Sequence, residues 1–343
     1  MESDGSPKTS PVAGVAGRVG VFVGLATLDT VSRVPHHPAP NEKLTALRQD
    51  VAAGGPAANA AVAFAALGGQ AILVTALGRH PFAQLAAMEL ASCGVRVIDV
   101  MTRTEALPPV SSIYVDDRTA ERSVVSVNEV VDVAAPPGRL DEAMDGASVV
   151  LVDGHHPRLA VAAARLAADR GVPVVLDAGS WKPVLRELLP HVQIAACSAD
   201  FRLPGVPKDE DALAGELMRD GPTSVLITHG ADPVRWWDRS EGHGAVAVPA
   251  VRAADTLGAG DVFHGALAMA TAVRPSATLA SRIVTANAIA GLRCRHVGPR
   301  AWLSDPELAA WRERLVVAPI HPDDGAHSAG PKPNRTEGER GVR

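Results

Sequence analysis

The feature that most constrains the fold of this chain is the alternation of short apolar runs with longer helical patterns. Runs such as Val19–Val23, Ala71–Ala76 and Val149–Val152 are too short for ordinary helices and predict buried strands. Glycines close several intervening helical stretches, as Gly94 closes Phe82–Cys93. This alternation is typical of parallel strands joined by crossover helices. The sequence therefore predicts an α/β fold with a doubly wound, mostly parallel sheet flanked by helices.

The pattern continues along the body of the chain. The further predicted strands are 95–100, 172–177, 194–197 and 225–228, and the further helices are 57–66, 160–170, 185–189, 211–219, 260–273 and 279–293. Two runs, 110–115 and 122–127, instead flank a turn sequence and predict a β-hairpin. With lid strands from about 27–52 and 110–128, we expect a small β-sheet on the rim of the larger one, as a lid or a dimer interface.

Composition excludes several classes of protein. The 343 residues are 47% hydrophobic and 21% charged, which excludes wholesale disorder. Asp and Glu (38) outnumber Lys and Arg (33), and this balance disfavours a dedicated nucleic-acid-binding protein. Three dispersed cysteines predict neither a disulfide framework nor a zinc site. No run of about 18 uncharged apolar residues is present, so we expect a cytoplasmic protein without membrane partners.

The two ends of the chain differ in composition from its body. Residues 1–17 are rich in Ser, Pro, Gly and Ala and predict a disordered arm. Residues 319–343 are polar, rich in Pro and Gly, and predict a disordered tail. The body, 18–318, is expected to carry the function.

The motif with most chemical content is D-T-L-G-A-G-D-V-F-H-G at 255–265, a Gly-rich turn that leads into an apolar helix. The first amides of such a helix, at 259–261, have no intrahelical partner and form an anion site with the positive end of the helix dipole. Gly258 and Gly260 permit close backbone approach. The carboxylate of Asp261 suits a base beside a reacting phosphoryl group. A plain charge at the helix N-terminus is the alternative.

Two further segments carry polar groups toward the same kind of site. Gly54 and Gly55 lead into an Ala-rich helix whose first turns contain Asn59, and Asn offers both a donor and an acceptor for hydroxyl groups. Asp29 lies just beyond the first strand, where ligands of open α/β sheets bind. The alternative for the 54–59 segment is a tight turn with a helix cap, and the alternative for Asp29 is a solvated loop acid.

The order of these motifs resembles that of the PfkB/ribokinase family of sugar kinases, over about residues 18–305. The resemblance implies a ribokinase-like fold with a small β lid, and ATP-dependent, Mg²⁺-requiring phosphorylation of a monosaccharide hydroxyl. It implies that Asp261 is the catalytic base and that Gly258, Ala259 and Gly260 form the anion hole. The sugar-binding residues implied are Asp29, Gly54, Gly55 and Asn59; those implied to bind the nucleotide are Thr228, Gly230 and Asn287, together with Gly258 and Gly260.

The resemblance also admits a monovalent cation such as K⁺ at Asp255 and a homodimer through the lid. The chain departs from the family pattern at Pro233, and at 198–201, where an Asn-x-x-Glu motif is absent. The Arg293-Cys294 pair and the string at 262–267 are similar to the ketohexokinase and sulfofructose kinase branch. We therefore expect a ketose or related sugar as substrate. A nucleoside kinase and a non-catalytic sugar-binding protein on the same scaffold remain alternatives.

Overall fold

Two β-sheets organise the structure, a computed structural model that describes residues 15, 17–127 and 132–317. The predicted arm (1–17) and tail (319–343) therefore fall almost entirely outside the described residues. The strands are β1 Val19–Val23, β2 Thr27–Val34, β3 Arg48–Gly54, β4 Gln70–Thr75, β5 Val95–Asp99, β6 Val110–Asp116, β7 Arg122–Ser126, β8 Ala147–Val152, β9 Val174–Ala178, β10 Ile194–Ser198, β11 Ser224–His229, β12 Asp232–Asp238 and β13 Gly242–Val246.

The larger sheet has nine strands in the order β13-β12-β11-β10-β9-β8-β1-β4-β5. All neighbours from β11 to β5 pair in parallel, whereas β12 and β13 extend one edge in antiparallel fashion. The central strands are apolar on both faces, as expected for a parallel sheet that helices cover on both sides. The prediction of a doubly wound, mostly parallel sheet is confirmed.

Nine helices among the described residues cover this sheet. They are α1 Pro56–Ala66, α2 Pro81–Ser92, α3 Arg139–Ala143, α4 Pro157–Asp169, α5 Leu185–Leu188, α6 Glu210–Asp220, α7 Ala259–Val273, α8 Leu279–Cys294 and α9 Pro306–Val317. One apolar core packs α1, α2, α7 and α8 on one face, and a second packs α4, α5 and α6 on the other. Both faces are thus buried.

The smaller sheet has four strands in the order β3-β2-β6-β7. Strands β6 and β7 form the predicted antiparallel hairpin, β2 pairs in parallel with β6, and β3 pairs antiparallel with β2. We call this sheet the lid. Its small apolar cluster, Val31, Ile113 and Val115, packs against Leu257 in the loop before α7. The lid therefore covers the loop that carries the most specific sequence motif.

The predicted elements agree with the structure within a few residues, and the differences have local causes. Strand β13 and helices α3 and α9 were not predicted; α3 is five residues long, and α9 carries charge along much of its length. The alternative of a solvated loop acid at Asp29 does not hold, because Asp29 lies within β2, inside the predicted lid strands. Only a short turn separates β1 from β2, so the lid begins at once.

Candidate active site beneath the lid

The site lies where the direction of chain winding reverses in the larger sheet. From β1 the chain continues to β4 on one side, and later passes from β8 to β9 on the other, so β1 and β8 border a topological switch point. Ligands of open α/β sheets bind outside the carboxyl ends of the strands at such a point. The residues that follow these two strands therefore define the floor of the site.

A buried carboxylate, that of Asp153, organises this floor. One oxygen accepts from the amides of Leu25 (2.9 Å) and Ala57 (3.3 Å), and the other accepts from the amide of His155 (2.9 Å). Burial raises the pKa of Asp153, but the charge and hydrogen bonds of His155 and the amide of Leu25 outweigh burial and hold the pKa well below its usual range. A Cβ at Gly24 would overlap this carboxylate, so Gly24 leaves room for it. Asp153 thereby fixes the start of α1 against the strand ends.

Helices α1 and α7 approach each other closely because small residues line their contact. A Cβ at Gly265 would overlap the carbonyl oxygen of Ala60 and approach the side chain of Ala63. This contact lies one turn beyond Asn59 and Asp261, the polar residues at the starts of the two helices. As a result Nδ2 of Asn59 donates to Oδ2 of Asp261 over 2.8 Å. The Ala-rich composition of α1 therefore places the two predicted site residues in direct contact.

The first turn of α7 presents an uncapped helix end. Gly258 is left-handed with φ 71°, and no side chain among the described residues caps the helix there. The amide of Ala259 donates to the carbonyl of Thr256 (3.2 Å), so the expectation that this amide is free does not match the structure. The amides of Gly260 and Asp261 stand at the positions that an α-helix leaves without intrahelical acceptors. They are the donors that could face an anion.

The surroundings of Asp261 favour its protonated form. Burial raises the pKa of Asp261 to about 7, helped by the negative charge of Asp177, while the hydrogen bond from Asn59 acts in the opposite direction. Asp177 ends close to His264 on α7, with 2.9 Å between Oδ2 and Nδ1. Burial lowers the pKa of His264, but Asp177 outweighs it, so the net shift is upward. A carboxyl with a pKa near neutrality can accept and return a proton at physiological pH.

The lid supplies a second carboxylate, that of Asp29. Its Oδ1 accepts from the hydroxyl of Thr27 over 2.6 Å. Burial raises the pKa of Asp29, while hydrogen bonds from Thr27 and Ser111 and the charge of Arg300 oppose the rise. Gly54 on β3 pairs with Thr27, two residues before Asp29 on β2, and a Cβ at Gly54 would overlap the Asp29 carboxylate. Gly54 is therefore required for the position of Asp29.

One cavity, of about 200 Å³, joins these groups between the lid and the larger sheet. Gly55 also borders it; with φ 95° and a Cβ that would overlap the carbonyl of Leu25, this position requires glycine. Gly54, Ala259 and Gly260 adjoin lining residues but do not line the cavity themselves. The predicted site residues that line the cavity are Asp29, Gly55, Asn59, Gly258 and Asp261.

Arg300 is a site residue that sequence reasoning missed. Its Nη1 donates to Oδ1 of Asn59 (3.1 Å), its Nη2 to the carbonyl of Ala53 (2.7 Å), and its Nε to Glu89 (2.8 Å). Asn59 therefore bridges Arg300 and Asp261. A lone Arg after Gly298-Pro299 matches no motif, so the sequence held no signal for it. Ser111 and His155 also line the cavity.

The lid is tied to the loop before α7 by two arginines. Nη1 of Arg33 donates to the carbonyl of Ala254 (3.2 Å), and Nη1 of Arg122 donates to the hydroxyl of Thr256 (3.1 Å). These two hydrogen bonds attach the lid to the segment that leads into α7.

Gly258 lines this cavity, but the other residues expected to bind the nucleotide, Thr228, Gly230, Gly260 and Asn287, do not. Thr228 is the penultimate residue of β11, where its hydroxyl lies 3.4 Å from the carbonyl of Cys197, and Gly230 (φ 67°) forms the turn into β12. Asn287 is buried on α8 and donates to the carbonyl of Ala247 (3.2 Å). Pro233 has no backbone N–H, and its carbonyl oxygen accepts from Nδ1 of His229 over 3.2 Å. The structure thus does not bring these residues to the sugar-side groups.

Asp255, expected at a cation site, is paired with an arginine. Its Oδ2 lies 3.3 Å from Nη2 of Arg293, and both side chains are buried. Within the described residues, no group of three or more His, Cys, Asp or Glu side chains is arranged to hold a metal ion.

No helix in the described ranges is long and apolar enough to cross a membrane.

A doubly wound sheet, a four-stranded lid over its switch point and a carboxylate at a Gly-rich helix N-terminus define the ribokinase-like sugar and nucleoside kinases. Residues 20–306 match the pfkB family carbohydrate kinases. The chain belongs to this family, whose members are ATP-dependent phosphotransferases that use a divalent metal.

Individual relatives agree with this assignment. The chain is 26% identical over 260 residues to a ribokinase of Bacillus subtilis, covering 73% of this chain and 84% of the relative. It is 31% identical over 245 residues to an ATP-dependent ribose-1-phosphate kinase of Halopiger xanaduensis, covering 70% and 80%. A crystal structure of a candidate ribokinase from Agrobacterium tumefaciens superposes with a TM-score of 0.74 at 27% identity, covering 87% of this chain and 97% of that chain.

Proposed function

We propose that this kinase phosphorylates a hydroxyl of a ketose or related monosaccharide, with Asp261 as general base. One observation carries the proposal: the carboxylate of Asp261 stands at the uncapped N-terminus of α7 and lines the same cavity as Asp29 and Asn59. The proposed base and the anion-binding end of α7 therefore lie beside Asp29 and Asn59, whose polar groups suit sugar hydroxyls. The cavity, at about 200 Å³, is smaller than the roughly 300–1,000 Å³ pockets of drug-sized ligands, which agrees with a monosaccharide as the occupant.

In the proposed step, ionised Asp261 accepts the proton of the substrate hydroxyl. The oxygen of that hydroxyl attacks the γ-phosphorus of ATP. The new P–O bond forms while the bond between the γ-phosphorus and the β–γ bridging oxygen breaks, and ADP leaves. The amide of Gly260 and the α7 dipole face the charge on the transferred group. A pKa of about 7 keeps a useful fraction of Asp261 ionised at neutral pH.

Substrate alignment comes from the lid and from α1. Asp29 accepts hydrogen bonds from sugar hydroxyls, and Asn59 positions both the sugar and Asp261. Because Arg300 holds Asn59 from the opposite side, the amide presents Nδ2 to Asp261 and not Oδ1. Lid closure excludes water from the transfer.

ATP is proposed to lie along the ends of β10 and β11, with Thr228 and Gly230 near its phosphates and Asn287 near its base. Mg²⁺ carried by the phosphates would neutralise charge on the transferring group. Asp261 and Gly258 would then meet the γ-phosphoryl group at the junction of the two binding regions.

The cavity favours a sugar over a nucleoside. None of the described residues lining it is Phe, Tyr or Trp, the side chains on which a base would stack. The two named relatives act on ribose and ribose-1-phosphate, so pentoses belong in any substrate panel beside ketohexoses and sulfofructose.

The test is ADP release from MgATP with ketohexoses, sulfofructose, pentoses and nucleosides. Asp261→Asn should lower kcat on the active substrate by about 10²–10⁴-fold, the usual contribution of a general base, with little change in sugar binding. Asp141→Asn, the same change at an exposed first-turn acid of α3, is the matched control and should retain full activity. Comparable turnover by Asp261→Asn would exclude Asp261 as the base. Sugar-dependent thermal stabilisation without ADP release would favour a binding protein.

A further inference from the structure

A buried guanidinium occupies the segment that leads into the α7 helix. Arg293, in the last turn of α8, is 1% exposed, and its Nη2 lies 3.3 Å from Oδ2 of Asp255, which is 2% exposed. Its Nη1 donates to the carbonyl of His296 (2.8 Å) and lies 3.4 Å from the carbonyl oxygen of Asp255. The fixed cation of Arg293 therefore contacts a carboxylate and two carbonyl oxygens. A hard metal cation would use oxygen ligands of the same kind.

The other oxygens nearby are engaged by N–H donors as well. The carbonyl of Cys294 accepts from the amides of Ala254 (2.8 Å) and Asp255 (3.2 Å). The Asp255 carboxylate also accepts from the amides of Leu257 (2.9 Å) and Gly298 (3.0 Å). The charge of Asp255 is already balanced by Arg293. A second cation in this buried site would be repelled by the guanidinium and would compete with the N–H donors already bound to the oxygens named here, so these residues do not fit K⁺.

We infer that Arg293 takes the place of a monovalent cation and that this kinase works without K⁺. The guanidinium neutralises Asp255 and ties the segment before Gly258 to the 294–298 loop. Gly258 begins the helix whose first turn carries Asp261, so the position of the proposed anion hole depends on this bridge. Arg293 borders the cavity beneath the lid, but its hydrogen bonds go to Asp255 and the carbonyl of His296, so we assign it as a positioning residue that acts through Asp255.

A side-chain cation differs from a bound ion in two respects. It is covalently attached and always charged, so its occupancy does not depend on the salt composition. Its planar fork also fixes the directions of several hydrogen bonds at once. We expect the geometry of the 255–258 segment to be the same in K⁺, Na⁺ and larger, weakly coordinating cations.

The first experiment compares the wild-type protein in K⁺ and in tetramethylammonium at equal ionic strength. The expected result is an unchanged Tm and a kcat/KM that is the same in both salts. A Tm that rises saturably with K⁺ alone, or a stimulation within the roughly 5–150-fold range typical of allosteric effectors, would overturn the inference. The inference rests on the proposed function only for the kcat/KM readout. If no sugar is phosphorylated, the proposed function fails while the Tm comparison still decides the cation question.

The second experiment removes the guanidinium. Arg293→Ala should lower Tm and kcat, and K⁺ but not tetramethylammonium should restore part of both, because the vacated oxygens can then bind an ion. Arg293→Lys should retain more activity than Arg293→Ala without K⁺, since it keeps a cation. Arg295→Ala, the neighbouring exposed arginine, is the control and should stay insensitive to K⁺. An Arg293→Ala protein that folds but ignores K⁺ would overturn the inference; if that variant does not fold, the wild-type titration and Arg293→Lys decide.

Discussion

Nδ2 of Asn59 donates a 2.8 Å hydrogen bond to Oδ2 of Asp261, joining residues 202 positions apart in the chain. Oδ1 of the same amide accepts from Arg300, so both ends of the Asn59 side chain are committed. The contact depends on the close approach of α1 and α7 at Gly265. It links the sugar side of the cavity to the proposed base, and it makes Asn59 a determinant of the charge state of Asp261.

Removal of this amide should change the pH dependence of the reaction. The hydrogen bond from Asn59 lowers the pKa of Asp261, so Asn59→Ala should move the acid limb of kcat/KM to higher pH and raise the KM for sugar. The measurement is a pH profile of kcat/KM for both proteins. Gln84→Ala, an exposed amide on α2, is the control. An unshifted acid limb in Asn59→Ala would show that Asn59 does not influence the base.

The wild-type profile itself is a prediction. Burial and the charge of Asp177 raise the pKa of Asp261 from 3.8 to about 7, and the base must be ionised, so kcat/KM should rise with pH and level off above neutrality. Measured from pH 5 to 9, the profile should show an apparent pKa near that value. A flat profile down to pH 5 would contradict it.

The same shift has a consequence for stability. A carboxyl with a raised pKa in the folded state binds its proton more tightly than in the unfolded chain. Its contribution is fully present below pH 3.8 and is lost as pH rises through about 7. Asp261→Asn lacks this loss. The Tm of the variant minus that of the wild type should therefore increase between pH 4 and 7 and stay constant at higher pH. A Tm difference independent of pH would contradict the raised pKa.

Much of this site could be predicted because its motifs are local. The Gly-rich turn at 255–261 and the Gly-Gly-to-helix segment at 54–59 determine their own backbone geometry, and small residues in both helices permit their contact. The parallel sheet followed from short apolar runs between helical patterns. These features lie within windows of about ten residues, where sequence periodicity is informative.

The rest depends on contacts between distant segments. Asp29 looks like a loop acid until β2 pairs with β3 and β6, and only then does it face the cavity. Arg300 and Arg293 reach their partners across 241 and 38 positions, and neither lies in a pattern that indicates its partner. The lack of an Asn-x-x-Glu motif at 198–201 likewise says nothing of what replaces it. Buried charges are set by tertiary packing, which a single sequence does not display.

Gly54 should be needed for sugar binding more than for folding. A Cβ there would overlap the Asp29 carboxylate, so Gly54→Ala should displace it and raise the KM for sugar by about tenfold or more, since a charge-assisted hydrogen bond contributes about 1.5–3 kcal/mol. Steady-state kinetics on the active sugar would measure this. Gly215→Ala, in open space on α6, should leave KM unchanged and stabilise the protein by about 0.5–1 kcal/mol. An unchanged KM in Gly54→Ala would remove Asp29 from the sugar site.

Asp153 should be needed for the fold of the site floor. In Asp153→Asn an amide group would face the N–H donors of Leu25, Ala57 and His155, so at least one buried donor loses its acceptor, at a cost of about 1–3 kcal/mol. Because the pKa of Asp153 is held below its usual range, its stabilising effect is present above pH 3.8 and is lost only in more acidic solution. Urea unfolding should therefore show the deficit at pH 5 as well as at pH 8. Asp145→Asn, an exposed acid, should stay within about 0.5 kcal/mol of the wild type. A deficit that disappears at pH 5 would mean that Asp153 is protonated there and does not hold the floor by its charge.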